Sequence, residues 1–321
     1  MAPRIVPGTA SHRLAAMISH HLDDEPVSCT VNRFPDGELR PELATVRGDD
    51  VYVVQSTGPP VNDRLVELLL LLDACRRAGA GRITAVVPYF GYARQDRRNH
   101  AGQAIGARAV ADALTAAGAH RLLVVDPHTP ALEAMFAIPV ELLTALPVLV
   151  PALADLPAET VVVAPDLGAV KLAERVAARL DRPVAVVRKT RITGSTVHAE
   201  ELIGTVDDRP VLIVDDMIST GATIEAAARM ALTRGAAPHI TVVATHGLLV
   251  GDATERLHAL PLRRLVVTDT TSLPAGPPSW VDVRSVDVLL AGAIGRLHRD
   301  ESLDEVLDRP TAPPPEHRPA T

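Results

Sequence analysis

Aromatic residues are scarce in this chain: three Tyr, three Phe and one Trp make 2% of 321 residues. So few rings cannot form a platform on which successive bases of a single strand would stack. Positive charge is not in excess either. With 32 Lys and Arg against 39 Asp and Glu, the net charge is −7, which disfavours non-specific attraction to nucleic acid. Any cationic site must therefore be local. Cysteine is limited to Cys29 and Cys75, too few for a disulfide framework and suited to a reducing cytoplasm. Long apolar runs are missing as well. Leu68–Leu72 is far too short to cross a bilayer, and Leu142–Leu156 is broken by Pro147, Pro151 and Asp155. Met1–Leu22 has no apolar stretch of the targeting kind and carries three histidines and two arginines. The expectation is a soluble cytoplasmic protein with neither a membrane nor a nucleic-acid partner.

What the chain does have is aliphatic bulk. Hydrophobic residues reach 47%, mostly Ala, Val and Leu, and the length suffices for two α/β domains. Val27–Val31, Val51–Gln55, Arg82–Pro88 and Arg121–Asp126 read as strands, with helices over Asp63–Arg77 and Ile105–Ala117. The alternation then recurs, with strands at Thr160–Ala164, Val184–Val187, Val211–Val214, Ile240–Ala244 and Leu265–Thr268. Helices are expected over Gly168–Leu180 and Thr223–Leu232. Such alternation calls for doubly wound, mostly parallel sheets, and two rounds of it suggest a duplicated core. The Pro-punctuated Leu142–Pro157 divides the chain into domains 1–148 and 149–307. The Pro-rich, polar segment 308–321 reads as a disordered tail.

The most informative stretch is Val211–Thr223. Its four apolar residues form a buried strand, and Asp215 and Asp216 follow at the strand's end. Ser219, Thr220, Gly221, Ala222 and Thr223 then make a small turn into an Ala-rich helix. Converging backbone N–H groups, the positive end of the helix dipole and a glycine suit a phosphate there. Two carboxylates beside that anion site can accept hydrogen bonds from a sugar diol. The stretch reads as a ribose 5-phosphate pocket, although a capped helix with solvated turn carboxylates has the same outline.

Other candidates are weaker alone. Arg94-Gln95-Asp96-Arg97-Arg98 follows a strand, and arginines around an amide can grip a triphosphate and read an adenine edge. His128, after Asp126-Pro127, can ligate a cation or a polyphosphate, or serve as a hydrogen-bonded structural histidine. Asp166, in Pro165-Asp166-Leu167-Gly168, can hold Mg²⁺ or cap the next helix. If the chain is extended, Lys189 and Arg191 project from one side, and a loop carrying them could close over a nucleotide. Asp36-Gly37-Glu38 by itself is a turn.

Together the segments Phe34-Pro-Asp-Gly-Glu38, Pro88–Asp96, Asp126-Pro-His128, Pro165-Asp-Leu-Gly168, Lys189-Thr-Arg191, Val214–Met217 and Thr245-His-Gly247 resemble one family in its order along residues 1–300. That family is the ribose-phosphate pyrophosphokinases, or phosphoribosyl-pyrophosphate (PRPP) synthases. The resemblance implies two tandem type I phosphoribosyltransferase-like domains. It implies transfer of the pyrophosphoryl group of ATP to the 1-hydroxyl of D-ribose 5-phosphate, giving PRPP and AMP. Phe34, Asp36, Gly37, Glu38, Arg94, Gln95 and Asp96 would bind ATP, His128 and Asp166 would hold Mg²⁺, and Lys189 and Arg191 would be catalytic. Arg191, Asp215, Asp216 and Ser219–Thr223 would bind ribose 5-phosphate. A homo-oligomer, dimer or higher, is implied because a neighbouring subunit completes the nucleotide site. Pro127 and Ala131–Phe136 depart from the usual pattern, and Ser219 stands where many members carry Asp. The spacings Lys189–Ser195 and Ser219–Thr223 look closer to the archaeal-type branch than to the allosteric bacterial one. The competing readings are a phosphoribosyltransferase that consumes PRPP and a non-catalytic regulatory homologue.

Overall fold

The computed structural model describes residues 2–191, 198–273, 277–304 and 306, with residues 189–191 and 198–200 described by backbone alone. The first half of the chain contributes β1 (Arg4–Pro7), α1 (His12–His21), β2 (Cys29–Arg33), β3 (Leu39–Leu43), β4 (Asp50–Val54) and α2 (Val61–Arg77). It continues with β5 (Arg82–Val87), α3 (Gly106–Ala117), β6 (Arg121–Val125) and β7 (Val140–Leu143), and α4 (Leu146–Leu149) leads into the second half. There follow β8 (Val161–Ala164), α5 (Val170–Leu180), β9 (Val184–Arg191), β10 (His198–Ile203), β11 (Val211–Ile218) and α6 (Ala222–Thr233). The chain then runs through β12 (Ile240–Gly247), α7 (Ala253–His258), β13 (Leu262–Thr268), β14 (Val281–Arg284) and α8 (Asp287–His298).

Two sheets result, ordered β1-β4-β5-β6-β7 and β10-β9-β8-β11-β12-β13-β14, and β2 and β3 form a separate hairpin. Every pairing within the two sheets is parallel except β9 with β10. The strands are apolar on both faces because both are covered, as parallel sheets require. Along β11, Val211 and Ile213 enter a core that includes Ile224 and Ala227 of α6. Leu212 and Val214 enter another core, shared with Tyr52, Val86 and Leu123 of the first sheet and with α1 and α8. The period-two alternation of a strand thus serves one core on each side. The inner one joins the two halves.

Two expectations need correction. β11 does not stop at Val214: Asp215 pairs with Ala244 and Met217 with His246, so both carboxylates lie within the strand. Parallel ladder bonds use only backbone groups and continue past the point where the side chains turn polar. Likewise β9 runs to Arg191 rather than ending at Val187, because β10 pairs with it antiparallel from His198 opposite Arg191. Lys189 and Arg191 therefore belong to a strand end. Their side chains, and the loop expected to close after them, lie outside the described residues, as does the 308–321 tail.

Candidate active site

In the second sheet the chain progresses one way from β8 to β9 and the other way from β8 to β11. Loops leaving the two strands at such a reversal diverge and open a crevice at their carboxyl ends, where doubly wound sheets bind ligands. The first sheet runs β1-β4-β5-β6-β7 without a reversal. The crevice of the second sheet is flanked by Asp166, just after β8, and by Asp215 and Asp216 on β11.

Ser219–Thr223 follow β11 and open α6. Gly221, at φ +75°, is the residue before the helix, and no side chain caps the first turn, so its N–H groups are left for a ligand. A Cβ at Gly221 would meet Leu257 Cγ at 3.3 Å in a conformation that L residues rarely adopt. The turn is braced from below: Val250 N–H donates to the Ser219 carbonyl at 3.0 Å, and Leu248 N–H to that of Ile218 at 2.9 Å.

The first half of the chain meets this crevice at its own carboxyl edge. His128 Nδ1 lies 2.7 Å from Asp216 Oδ2, joining the loop after β6 to the middle of β11. Arg94 and Asp96, on the loop after β5, lie close enough to act on the His128 charge. A groove of about 500 Å³ beside them is lined by Val61, Tyr89, Gly91, Tyr92, Arg94 and Gln95, a size typical of small-ligand sites. His128, Asp216, Asp215, Asp166, Arg94 and Asp96 are thereby brought together.

The two carboxylates on β11 differ in charge. Burial, reinforced by the Asp216 charge beside it, pushes Asp215 up to about 8. For Asp216 burial works in the same direction, but the hydrogen bond and charge of His128 outweigh it and hold the group below the usual carboxylate range. His128 is raised in return, chiefly by its hydrogen bond to Asp216. At neutral pH the pair presents one ionised carboxylate and one carboxylic acid.

Asp166 spends Oδ1 on the N–H groups of Gly168 at 2.8 Å and Ala169 at 3.2 Å, as a helix cap does, and leaves Oδ2 toward the crevice entrance. His128 spends Nδ1 on Asp216 and keeps Nε2. No group of three or more His, Cys, Asp or Glu among the described residues is spaced to hold a metal. Two remaining donors do not make a cage for a tightly held ion. They suit a hard cation such as Mg²⁺, which keeps several waters and binds through one or two protein groups and a phosphate chain.

Phe34, Asp36, Gly37 and Glu38 lie elsewhere, at the tip of the β2–β3 hairpin. Phe34 N–H donates to the Glu38 carbonyl at 2.8 Å, and Gly37 takes φ +100° to close the turn. The hairpin is tied to α2 by Arg33 and Asp63 at 2.9 Å, and Phe34 is 42% exposed. Among the described residues no hydrogen bond or ion pair joins this turn to the crevice.

Sequence reasoning passed over a set of buried polar residues beneath the site: Asp126, Thr245, His246 and Thr270. Thr245 and His246 are each 1% exposed. The signal was present, since a Thr-His pair ending an otherwise aliphatic strand must find hydrogen-bond partners.

Residues 3–118 match the family model of the N-terminal domain of ribose phosphate pyrophosphokinase, and residues 192–308 match that of the phosphoribosyl synthetase-associated domain. A curated ribose-phosphate pyrophosphokinase of Caldanaerobacter subterraneus subsp. tengcongensis is 41% identical over 308 residues, covering 95% of this chain and 97% of that protein. One of the same name from Rhodopirellula baltica is 43% identical over 311 residues, covering 95% and 98%. The crystal structure of phosphoribosylpyrophosphate synthetase from Mycobacterium smegmatis matches with a TM-score of 0.87 at 34% identity, over 94% of this chain and 100% of that one.

Proposed function

The chain belongs to the ribose-phosphate pyrophosphokinase family, and from that premise we infer how its own residues transfer the pyrophosphoryl group of ATP to the 1-hydroxyl of D-ribose 5-phosphate, giving PRPP and AMP. The observation that carries the reading is the bond between His128 and Asp216, where a polyphosphate-side loop meets a sugar-side strand. Ribose 5-phosphate takes the crevice at the strand reversal. Its phosphate rests on the N–H groups of Ser219–Thr223 and its hydroxyls on Asp215 and Asp216, with Arg191 beside them. A carboxylate that only accepts hydrogen bonds, next to a carboxylic acid that can also donate, grips a diol in both polarities.

ATP takes the groove of Arg94, Gln95 and Asp96. The exposed tip bearing Phe34, Asp36, Gly37 and Glu38 reaches the nucleotide of a second copy, so the working form is a homo-oligomer, dimer or higher. His128 and Asp166 would hold Mg²⁺ arriving with the nucleotide, and the ion would offset charge on the phosphate chain. Lys189 supplies a cation where charge develops on the transferred group, which is where such a cation lowers the barrier. Free thiols and nucleotide substrates fit a cytoplasmic enzyme. No helix among the described residues is long and apolar enough to cross a membrane. An affinity to the archaeal-type branch rests on the two loop spacings alone, and both curated relatives named above are bacterial.

The test is a product analysis with ATP, Mg²⁺ and ribose 5-phosphate. AMP and PRPP should form in equal amounts. ADP in place of AMP would mean γ-phosphoryl transfer and overturn the reading.

A further inference from the structure

Thr245-His246-Gly247 has no part in the reading above, yet its first two residues are buried at the carboxyl end of β12 and face the other half of the molecule. His246 Nε2 lies 3.0 Å from the backbone carbonyl of Asp126. A carbonyl only accepts, so Nε2 carries the proton and Nδ1 is free to accept from Thr270 Oγ1 at 2.8 Å. Burial favours the same neutral imidazole. The ring packs edge-on to Tyr89 of the first half, with centroids 4.9 Å apart. Thr245 Oγ1 donates to Asp126 Oδ2 at 2.8 Å, and the same oxygen accepts from Ala145 N–H at 2.8 Å.

Asp126 thus has both its carbonyl and its carboxylate held from β12, and it needs holding. Its φ is +35°, an uncommon conformation for a residue other than glycine, which persists where the surroundings over-determine it. Two residues on stands His128, after Pro127, whose own φ is fixed by its ring. The backbone turn at Asp126 therefore decides where the His128 imidazole points, and it points at Asp216.

We propose that His246, assisted by Thr245, is a positioning residue that fixes the Asp126 turn and so aims His128 at Asp216. It touches neither substrate. The inference deepens the function proposed above and rests on His128 serving the polyphosphate side of that site.

The experiment compares His246→Leu, His246→Gln and Thr245→Val in the full chain. In His246→Leu, kcat should fall by about 10–100-fold, the usual effect of losing a group that orients a ligand-bearing side chain. The KM for ribose 5-phosphate should stay within about threefold, as expected when an orienting rather than a binding group is removed. His246→Gln, whose amide N–H can still reach the Asp126 carbonyl, should recover most of kcat. Independently of activity, the His128 Nδ1–H proton shared with Asp216 should be visible by NMR in the free protein. It should be lost in His246→Leu and retained in His246→Gln. If His246→Leu does not fold, Thr245→Val, which removes only the hydroxyl donor to Asp126, carries the same two readouts. An unchanged His128 signal with unchanged kcat overturns the proposal, and so does a Gln variant no better than Leu. His128→Ala with full activity would instead sink the role given to His128, while the NMR comparison would still decide whether His246 positions it.

Discussion

Asp50 and His298 are separated by 248 positions in the chain and hydrogen-bond at 2.7 Å between Oδ2 and Nδ1. Through this contact the last helix, α8, reaches back onto the first sheet. Arg82 donates to the same carboxylate at 2.8 and 2.7 Å and also to the Leu297 carbonyl at 3.2 Å. Tyr52 adds its hydroxyl at 3.0 Å. Burial works to raise Asp50, but the bonds from Arg82, His298 and Tyr52 outweigh it and hold the group below the ordinary carboxylate value. A lowered folded value means that this stabilisation is complete above the unfolded pKa, about 3.9, and is lost as pH falls through the folded one. Asp50→Asn should destabilise the protein by about 1.5–3 kcal/mol at pH 7, the range for hydrogen bonds to a charged group. The difference should shrink toward zero below about pH 4. Urea midpoints measured across that window check it, and a deficit as large at low pH as at neutral pH would contradict the account.

The unequal charges of the β11 pair predict unequal mutants. Asp216→Asn removes the ionised member and the anionic partner of His128, and should weaken ribose 5-phosphate binding by about 10–100-fold, equivalent to one or two charge-assisted hydrogen bonds. Asp215→Asn replaces a carboxylic acid by another neutral group that both donates and accepts. Its loss should be several-fold smaller. Titration calorimetry with ribose 5-phosphate decides, and equal losses would show that Asp215 is ionised in the free protein.

Subunit mixing tests the hairpin. Asp36→Ala alters the exposed turn, and Arg94→Ala alters the groove. Each variant alone should be nearly inactive. If the turn serves the groove of another copy, mixed assemblies contain sites intact in both parts and activity should return on co-refolding. No recovery, with mixed assemblies demonstrated by mass, would place turn and groove in the service of one chain.

Lys189→Ala should lower kcat by orders of magnitude while ATP and ribose 5-phosphate affinities stay within a few fold. A cation acting on charge that develops during transfer contributes to the transition state and not to the ground state. Single-turnover kinetics with saturating substrates measure it. Turnover close to that of the unaltered protein would reduce Lys189 to a surface charge.

The sequence by itself determined the parts of this protein that are encoded within a few residues. The β-branched run at Val211–Val214 specifies a strand, Gly221 before an Ala-rich helix specifies an anion-binding turn, and the repeated alternation specifies two doubly wound sheets. Edge strands of four residues, such as β1, β7 and β14, escaped because so short a stretch has no readable period. The length of β11 escaped because its ladder is made by backbone groups, to which the change from Val214 to Asp215 is invisible. Only the tertiary structure decided which candidates share a site. His128 with Asp216, Asp126 with Thr245 and His246, and Asp50 with His298 are pairs 88, 119, 120 and 248 positions apart. Their meeting depends on how two sheets pack across one apolar core. The charges of Asp215 and Asp216 follow from the same packing. Adjacent and chemically identical in sequence, they separate only because one finds a histidine and the other does not.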